Sequence, residues 1–139
     1  MSFSTFGTAG DAGIRAEAAG LGQLLAELAL GFAELSSPER AQPRETRRLT
    51  IAAREPGELA VRFLNELVFL ADSEGFLPAE AAAEVSGTAG ALELTASVKG
   101  ETEAFGRRAR GLLVKAATYH GLKVKESGGR WTAEVVLDI

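Results

Sequence analysis

The chain has 139 residues, 46% hydrophobic and 24% charged, with a formal net charge of −4. Those totals suit one compact soluble domain, 1–139, and argue against wholesale disorder and a general basic footprint for nucleic acid. The absence of cysteine excludes a disulfide framework, a zinc-thiolate centre and a thiol nucleophile.

Local basic clusters at residues 44–48 and 107–110 read as solvated loop charge. Residues 1–10 lack the basic segment and apolar run of a signal peptide, and the apolar stretches are short and interrupted. A cytoplasmic protein is expected.

Residues 3–6 alternate apolar and polar and predict a short strand. Residues 7–13 form a small, glycine-rich stretch whose one charge is Asp11, and residues 14–17 predict a second short strand. Leu21, Leu24, Leu25, Leu28, Phe32 and Leu35 then recur at helical spacing. Gly22 and Gly31 weaken that helix slightly, and Ser36-Ser37-Pro38 ends it.

Residues 40–44 read as a polar loop and 45–54 as a strand with Leu49 and Ile51 on one face. Pro56 suits the first turn of a second helix, which Gly75 closes. Leu59, Phe63, Leu64, Leu67 and Leu70 give it an apolar face that Val61, Val68 and Phe69 widen, so it is expected to be central and buried. Asn65 and Glu66 interrupt that apolar run. They need hydrogen-bond partners and read as a clamp on a neighbouring loop or strand.

Residues 76–86 and 91–99 predict a hairpin around Gly87-Thr88-Ala89-Gly90. Residues 101–111 are charged and irregular. Residues 114–126 and 130–138 predict a second hairpin around Ser127-Gly128-Gly129. The whole predicts an α+β fold, two helices packed on a mostly antiparallel sheet.

Alternation over 114–124 puts Val114, Ala116, Thr118, His120, Leu122 and Val124 on one face and Lys115, Ala117, Tyr119, Gly121 and Lys123 on the other. His120, the chain's one histidine, then shares the apolar face and reads as a half-buried core residue. There is no serine or cysteine nucleophile elbow, phosphate loop or dinucleotide fingerprint.

The last strand ends in Val135-Val136-Leu137, apolar on both faces, followed by Asp138 and Ile139. An aspartate one residue from an α-carboxylate is relieved of repulsion by a hard cation such as Ca²⁺, Mg²⁺ or Mn²⁺. A frayed, solvated terminus is the blander alternative. Asp11 has the same two readings, an oxygen ligand or ordinary turn chemistry.

Several segments together resemble the archease family in order and spacing. They are Leu64-Asn65-Glu66-Leu67 through Glu74, then Val114-Lys115-Ala116-Ala117-Thr118-Tyr119-His120, then Val135-Val136-Leu137-Asp138-Ile139. Gly10-Asp11-Ala12-Gly13-Ile14-Arg15-Ala16 is similar to the family's opening loop, and Gly100-Glu101 to a further short element. The resemblance spans essentially the whole chain.

It implies a strand-helix-strand-strand unit with a second such unit inserted in it. It also implies a small accessory partner of an RtcB-type RNA ligase in tRNA splicing and RNA repair. Such a protein promotes the ligase's covalent guanylate intermediate and its multiple turnover, has no catalytic activity of its own, and meets RNA only through the ligase. The implied metal ligands are Asp11, Asp138 and Ile139, the last through main-chain or terminal oxygen, holding Ca²⁺, Mg²⁺ or Mn²⁺. Lys115, Tyr119 and His120 are candidate partner contacts. The sequence departs from the family pattern in two places. The loop that reads His-Thr-Ala-Asp in the family is Thr8-Ala9-Gly10-Asp11 here, and a second family histidine is replaced in the region 107–111. Two rival readings stand beside this one. One is a small metal-dependent phosphodiester hydrolase using His120, Asp11 and Asp138, and the other is a metal-free interaction module.

Overall fold

A computed structural model describes residues 1–7, 10–104 and 110–139. Part of the glycine-rich stretch (Thr8 and Ala9) and most of the basic cluster at 107–110 lie outside the described residues. In chain order the elements are β1 (Ser2–Gly7), β2 (Asp11–Ala18), α1 (Leu21–Ser36), β3 (Glu45–Ala53) and α2 (Pro56–Glu74). They continue with β4 (Leu77–Thr88), β5 (Ala91–Glu101), β6 (Ala116–Ala117), β7 (Lys123–Ser127) and β8 (Arg130–Asp138).

The fold is α+β, with two antiparallel sheets in place of the single sheet expected. One has five strands in the order β1-β2-β8-β6, with β7 also paired to β8; the other has three, β3-β5-β4. The second sheet and α2 form a strand-helix-strand-strand unit, inserted between α1 and β6 of the first.

Both helices form where the sequence periodicity places them. Pro56 sits in the first turn of α2, and Gly75 ends it with φ 65°, a left-handed conformation that glycine adopts without strain. The main core draws on every layer: Ile14, Val135 and Leu137 from the first sheet, Leu94 and Val98 from the second, and Leu28 and Leu64 from the helices. Each such fully buried side chain contributes roughly 1.5–3 kcal/mol. Helix α1 meets both sheets. Its Gly22 abuts the backbone of Ala83 in β4, and its Gly31 abuts Ile14 in β2.

Three sequence expectations are corrected. Strand β2 starts at Asp11, so Ala12 and Gly13 are strand residues and the opening loop is shorter than 7–13. Gly87 and Thr88 belong to β4, leaving a tight Ala89-Gly90 turn with Gly90 at φ 92°. The third concerns the continuous strand expected over 114–124, which is broken into β6 and β7. The chain turns between them because Gly121 takes φ 64° and the Leu122 N–H donates to the Tyr119 carbonyl at 3.3 Å. His120 therefore lies exposed in a turn and not on the apolar face.

Candidate functional site

Strand β8 is the pivot of the first sheet, with β2 on one side and β6 and β7 on the other. Ala133, Val135 and Leu137 of β8, and Ala12, Ile14 and Ala16 of β2, are buried against the helices. Strand alternation then turns Asp138 and Asp11 toward the outer face. The ladder pairs them directly, Asp11 opposite Asp138. Residues so placed hold their Cβ atoms about 4.5–5.5 Å apart, and like charges in that position destabilise the pair. Both residues are exposed, and among the described residues neither forms an ion pair with a lysine or arginine.

The backbone of Asp138 is held from both sides. On one side it pairs with Asp11; on the other it pairs with Ala116 and accepts a 2.7 Å hydrogen bond from the Lys115 N–H. Ile139 is half-buried and packs against the main core, so this segment is anchored and not frayed. Behind β6, the Asn65 side chain bonds to Ala117, the clamp expected from sequence, whereas Glu66 points to solvent.

The oxygen donors here are two carboxylates on adjacent strands of one face, with main-chain oxygens beside them. A hard donor set of that kind suits Ca²⁺, Mg²⁺ or Mn²⁺ better than a soft metal. Among the described residues no three His, Asp or Glu side chains gather into a metal-binding group. Main-chain oxygens beside the pair could supply a further ligand, the role that the resemblance implies for Ile139. His120 does not join Asp11 and Asp138, so the convergence that a hydrolase built on these three requires is missing. Lys115, Tyr119 and His120 are all exposed; Lys115 adjoins Asp138, and the other two lie in the turn after β6.

Sequence reasoning missed a second feature of the outer face. A cavity of about 390 Å³ lies among Arg15, Glu17, Lys123, Lys125 and Glu134. Glu134 pairs with Arg15 at 3.0 Å and with Lys123 at 3.7 Å, and the Arg15 guanidinium stacks 4.3 Å from the Phe6 ring centre. The available signal was the run of polar residues at alternate positions of β2 and β8.

The Archease protein family (MTH1598/TM1083) matches residues 3–139. The protein named archease from Thermococcus gammatolerans is 29% identical over 131 residues, covering 93% of this chain and 92% of its own. The solution structure of Methanobacterium thermoautotrophicum protein 1598 superposes with a TM-score of 0.85 at 27% identity, covering 99% of each chain. A crystal structure from Thermotoga maritima, described as an archease and possible chaperone, superposes with a TM-score of 0.59. It covers 96% of this chain and 94% of its own at 18% identity, a likeness of fold alone.

Proposed function

The chain belongs to the archease family, and on that premise we propose that it is an accessory activator of an RtcB-type RNA ligase, not an enzyme in its own right. In this reading it acts in tRNA splicing and RNA repair by promoting ligase guanylylation and multiple turnover. The observation that carries the reading is the Asp11–Asp138 pair, two like charges set opposite one another on an exposed face by a ladder that fixes both backbones.

Asp11, Asp138 and a main-chain or terminal oxygen of Ile139 would hold the divalent cation. When bound, the cation supplies positive charge for the phosphates handled at the ligase's centre. This chain's residues do the positioning. The β2–β8 pairing sets the spacing of the carboxylates, the Lys115 N–H orients the Asp138 carbonyl, and core packing holds Ile139 in place beside them. Lys115, with Tyr119 and His120 in the next turn, is exposed beside this edge and free to meet the partner. The setting proposed is the cytoplasm; no helix among the described residues is long and apolar enough to cross a membrane.

Ligase guanylylation measured with the parent chain, with Asp138→Ala and with Ile139 deleted tests this. The parent should accelerate the step and both variants should lose most of that effect. A rate equal to ligase alone with all three would sink the proposal.

A further inference from the structure

The outermost strand of a sheet carries a row of unpaired backbone N–H and C=O groups, and soluble chains close such edges with charge, proline, bulges or a covering element. Among the described residues, β1, β3, β4, β6 and β7 each have a strand on one side only. Four of them are closed by such means. Strand β3 carries Arg47 and Arg48, and its Ala52 carbonyl accepts a 2.7 Å hydrogen bond from the Arg62 guanidinium of α2. Strand β4 has Glu80, Glu84 and a register shift between Pro78 and Glu80, and Gly22 of α1 abuts its Ala83 carbonyl. The side chain of Asn65 covers Ala117 in β6, and β7 carries Lys123, Lys125 and Glu126. Strand β1 has none of these devices. Ser2–Gly7 contains no charge and no proline, and it pairs with β2 in unbroken register. Among the described residues, its backbone forms no hydrogen bond with a loop, a helix or a side chain.

We propose that β1 pairs antiparallel with β1 of a second copy of this chain, joining the two five-stranded sheets into one. The open groups dictate the chemistry of the occupant. Alternating amide donors and acceptors at strand spacing fit an extended backbone, not a helix or a nucleic acid. Three features make that backbone another β1. It is already extended, so pairing costs less ordering than a flexible peptide requires. It is uncharged from end to end, so a two-fold axis sets no like charges opposite one another. And every copy offers this same open edge. Directly opposed residues share a face, so the axis passes through a residue and not between two. Ser4, near the middle of β1 and exposed, then faces its own counterpart, with Phe3 opposite the counterpart of Thr5. Phe3 also lines a cavity of about 230 Å³ with Leu30 and Ala33 of α1, and a strand beside β1 covers part of it. The ionised groups lining that cavity, Glu34, Glu39 and Arg40, carry both signs. With one open edge per copy, the assembly closes at two and does not grow into a fibre.

Sedimentation tests this with the parent over a range of concentrations, with Ser4→Lys, with Ser4→Glu, and with an equimolar mixture of those two. Lys125→Glu, a charge change on β7, is the control. Ser4 is exposed, so both of its variants should keep the parent's circular dichroism spectrum. The parent should form a dimer and nothing larger. Either Ser4 variant alone sets like charges opposite at the axis, and its dimer dissociation constant should rise about fivefold or more. The mixture sets opposite charges there and should recover the dimer, and Lys125→Glu should leave the constant unchanged. Amide exchange over residues 2–7 should slow as the parent's concentration rises. A parent that stays monomeric up to millimolar concentration overturns the proposal. So does a dimer indifferent to both Ser4 variants, or an assembly larger than two copies. Protection of the β1 amides only when a different protein is added also overturns it, since a foreign strand is then the occupant.

Discussion

The side chain of Asn65 is hydrogen-bonded to the backbone of Ala117 in both directions. The Ala117 N–H donates to Oδ1 at 2.8 Å, and Nδ2–H donates to the Ala117 carbonyl at 3.3 Å. Strand β6 is only Ala116–Ala117 and has β8 on one side. On its other side the Asn65 amide does for Ala117 what a neighbouring strand would do. The clamp thus links the buried helix α2 to the strand that holds Asp138.

Replacing Asn65 with Ala leaves both the N–H and the carbonyl of Ala117 without this partner. Unpaired polar groups in a part-buried site cost about 1–3 kcal/mol, so the variant should be less stable by about that amount and melt earlier. The Ala117 amide should also exchange with solvent faster than core amides do. Parental exchange at Ala117 would show that the clamp contributes nothing to holding β6.

The pairing of Asp11 with Asp138 makes opposite predictions with and without a cation. In chelator, Asp11→Asn removes a like-charge repulsion, so the variant should be as stable as the parent or more so. In millimolar Mn²⁺ or Ca²⁺ the order should reverse. An ion that binds only the folded chain adds about 2.7 kcal/mol at a hundred times its dissociation constant. Thermal melts of both proteins in chelator and in each metal check this. Equal metal-induced shifts in parent and variant would place the ion elsewhere.

Glu45 offers a test of pH dependence away from the candidate site. Its carboxylate accepts hydrogen bonds from the Thr102 hydroxyl and, at 3.1 Å, from the Thr102 N–H, and it pairs with Arg47 at 3.7 Å. Thr102 first, with Arg47 assisting, holds the carboxyl below its ordinary value of 4.5. A carboxyl depressed in the folded state stabilises the fold fully above its unfolded pKa. That contribution is lost as pH falls through the lower folded value. The stability gap between the parent and Glu45→Gln should therefore be steady at neutral pH and close below about pH 4.5. Urea titrations at a series of pH values read the gap directly, and a constant gap down to the acid limit would contradict the assignment.

Much of this architecture was legible because periodicity reports burial. Leu24, Leu25, Leu28 and Phe32 repeat at helical spacing and are buried where α1 forms. Asn65 was legible for the opposite reason, a polar side chain inside an apolar run. Phe69 was misread, because hydrophobicity counts toward a core face whichever way the helix turns it, and its place on one stripe of α2 with Asn65 and Asp72 puts it in solvent. The strand over 114–124 was misread because period-two alternation survives a turn, and nothing in the pattern reports the positive φ of Gly121. The Asp11–Asp138 pairing depends on register between segments more than a hundred residues apart, which local pattern cannot supply. Each residue drew notice by its own setting, with a blander reading beside it, and the family resemblance is what favoured the metal reading.

Gly22 sits where local propensity and packing conflict. Ala in place of Gly within a helix gains up to about 1 kcal/mol from propensity alone. In the fold, a Cβ at Gly22 would lie 2.3 Å from the Ala83 carbonyl oxygen, 3.0 Å from its carbonyl carbon and 3.3 Å from the Glu84 Cα. All three atoms are backbone of β4, so no side-chain rotation relieves the contact, and α1 must move off the sheet. Overpacking of that kind costs about 1–3 kcal/mol, which outweighs the propensity gain. Gly22→Ala should therefore lower the melting temperature, although the same change in an isolated peptide of residues 21–36 should raise its helix content. Thermal melts of the whole chain and circular dichroism of the peptide give the two signs. A stabilised whole chain would show that α1 is not held against β4 at Gly22.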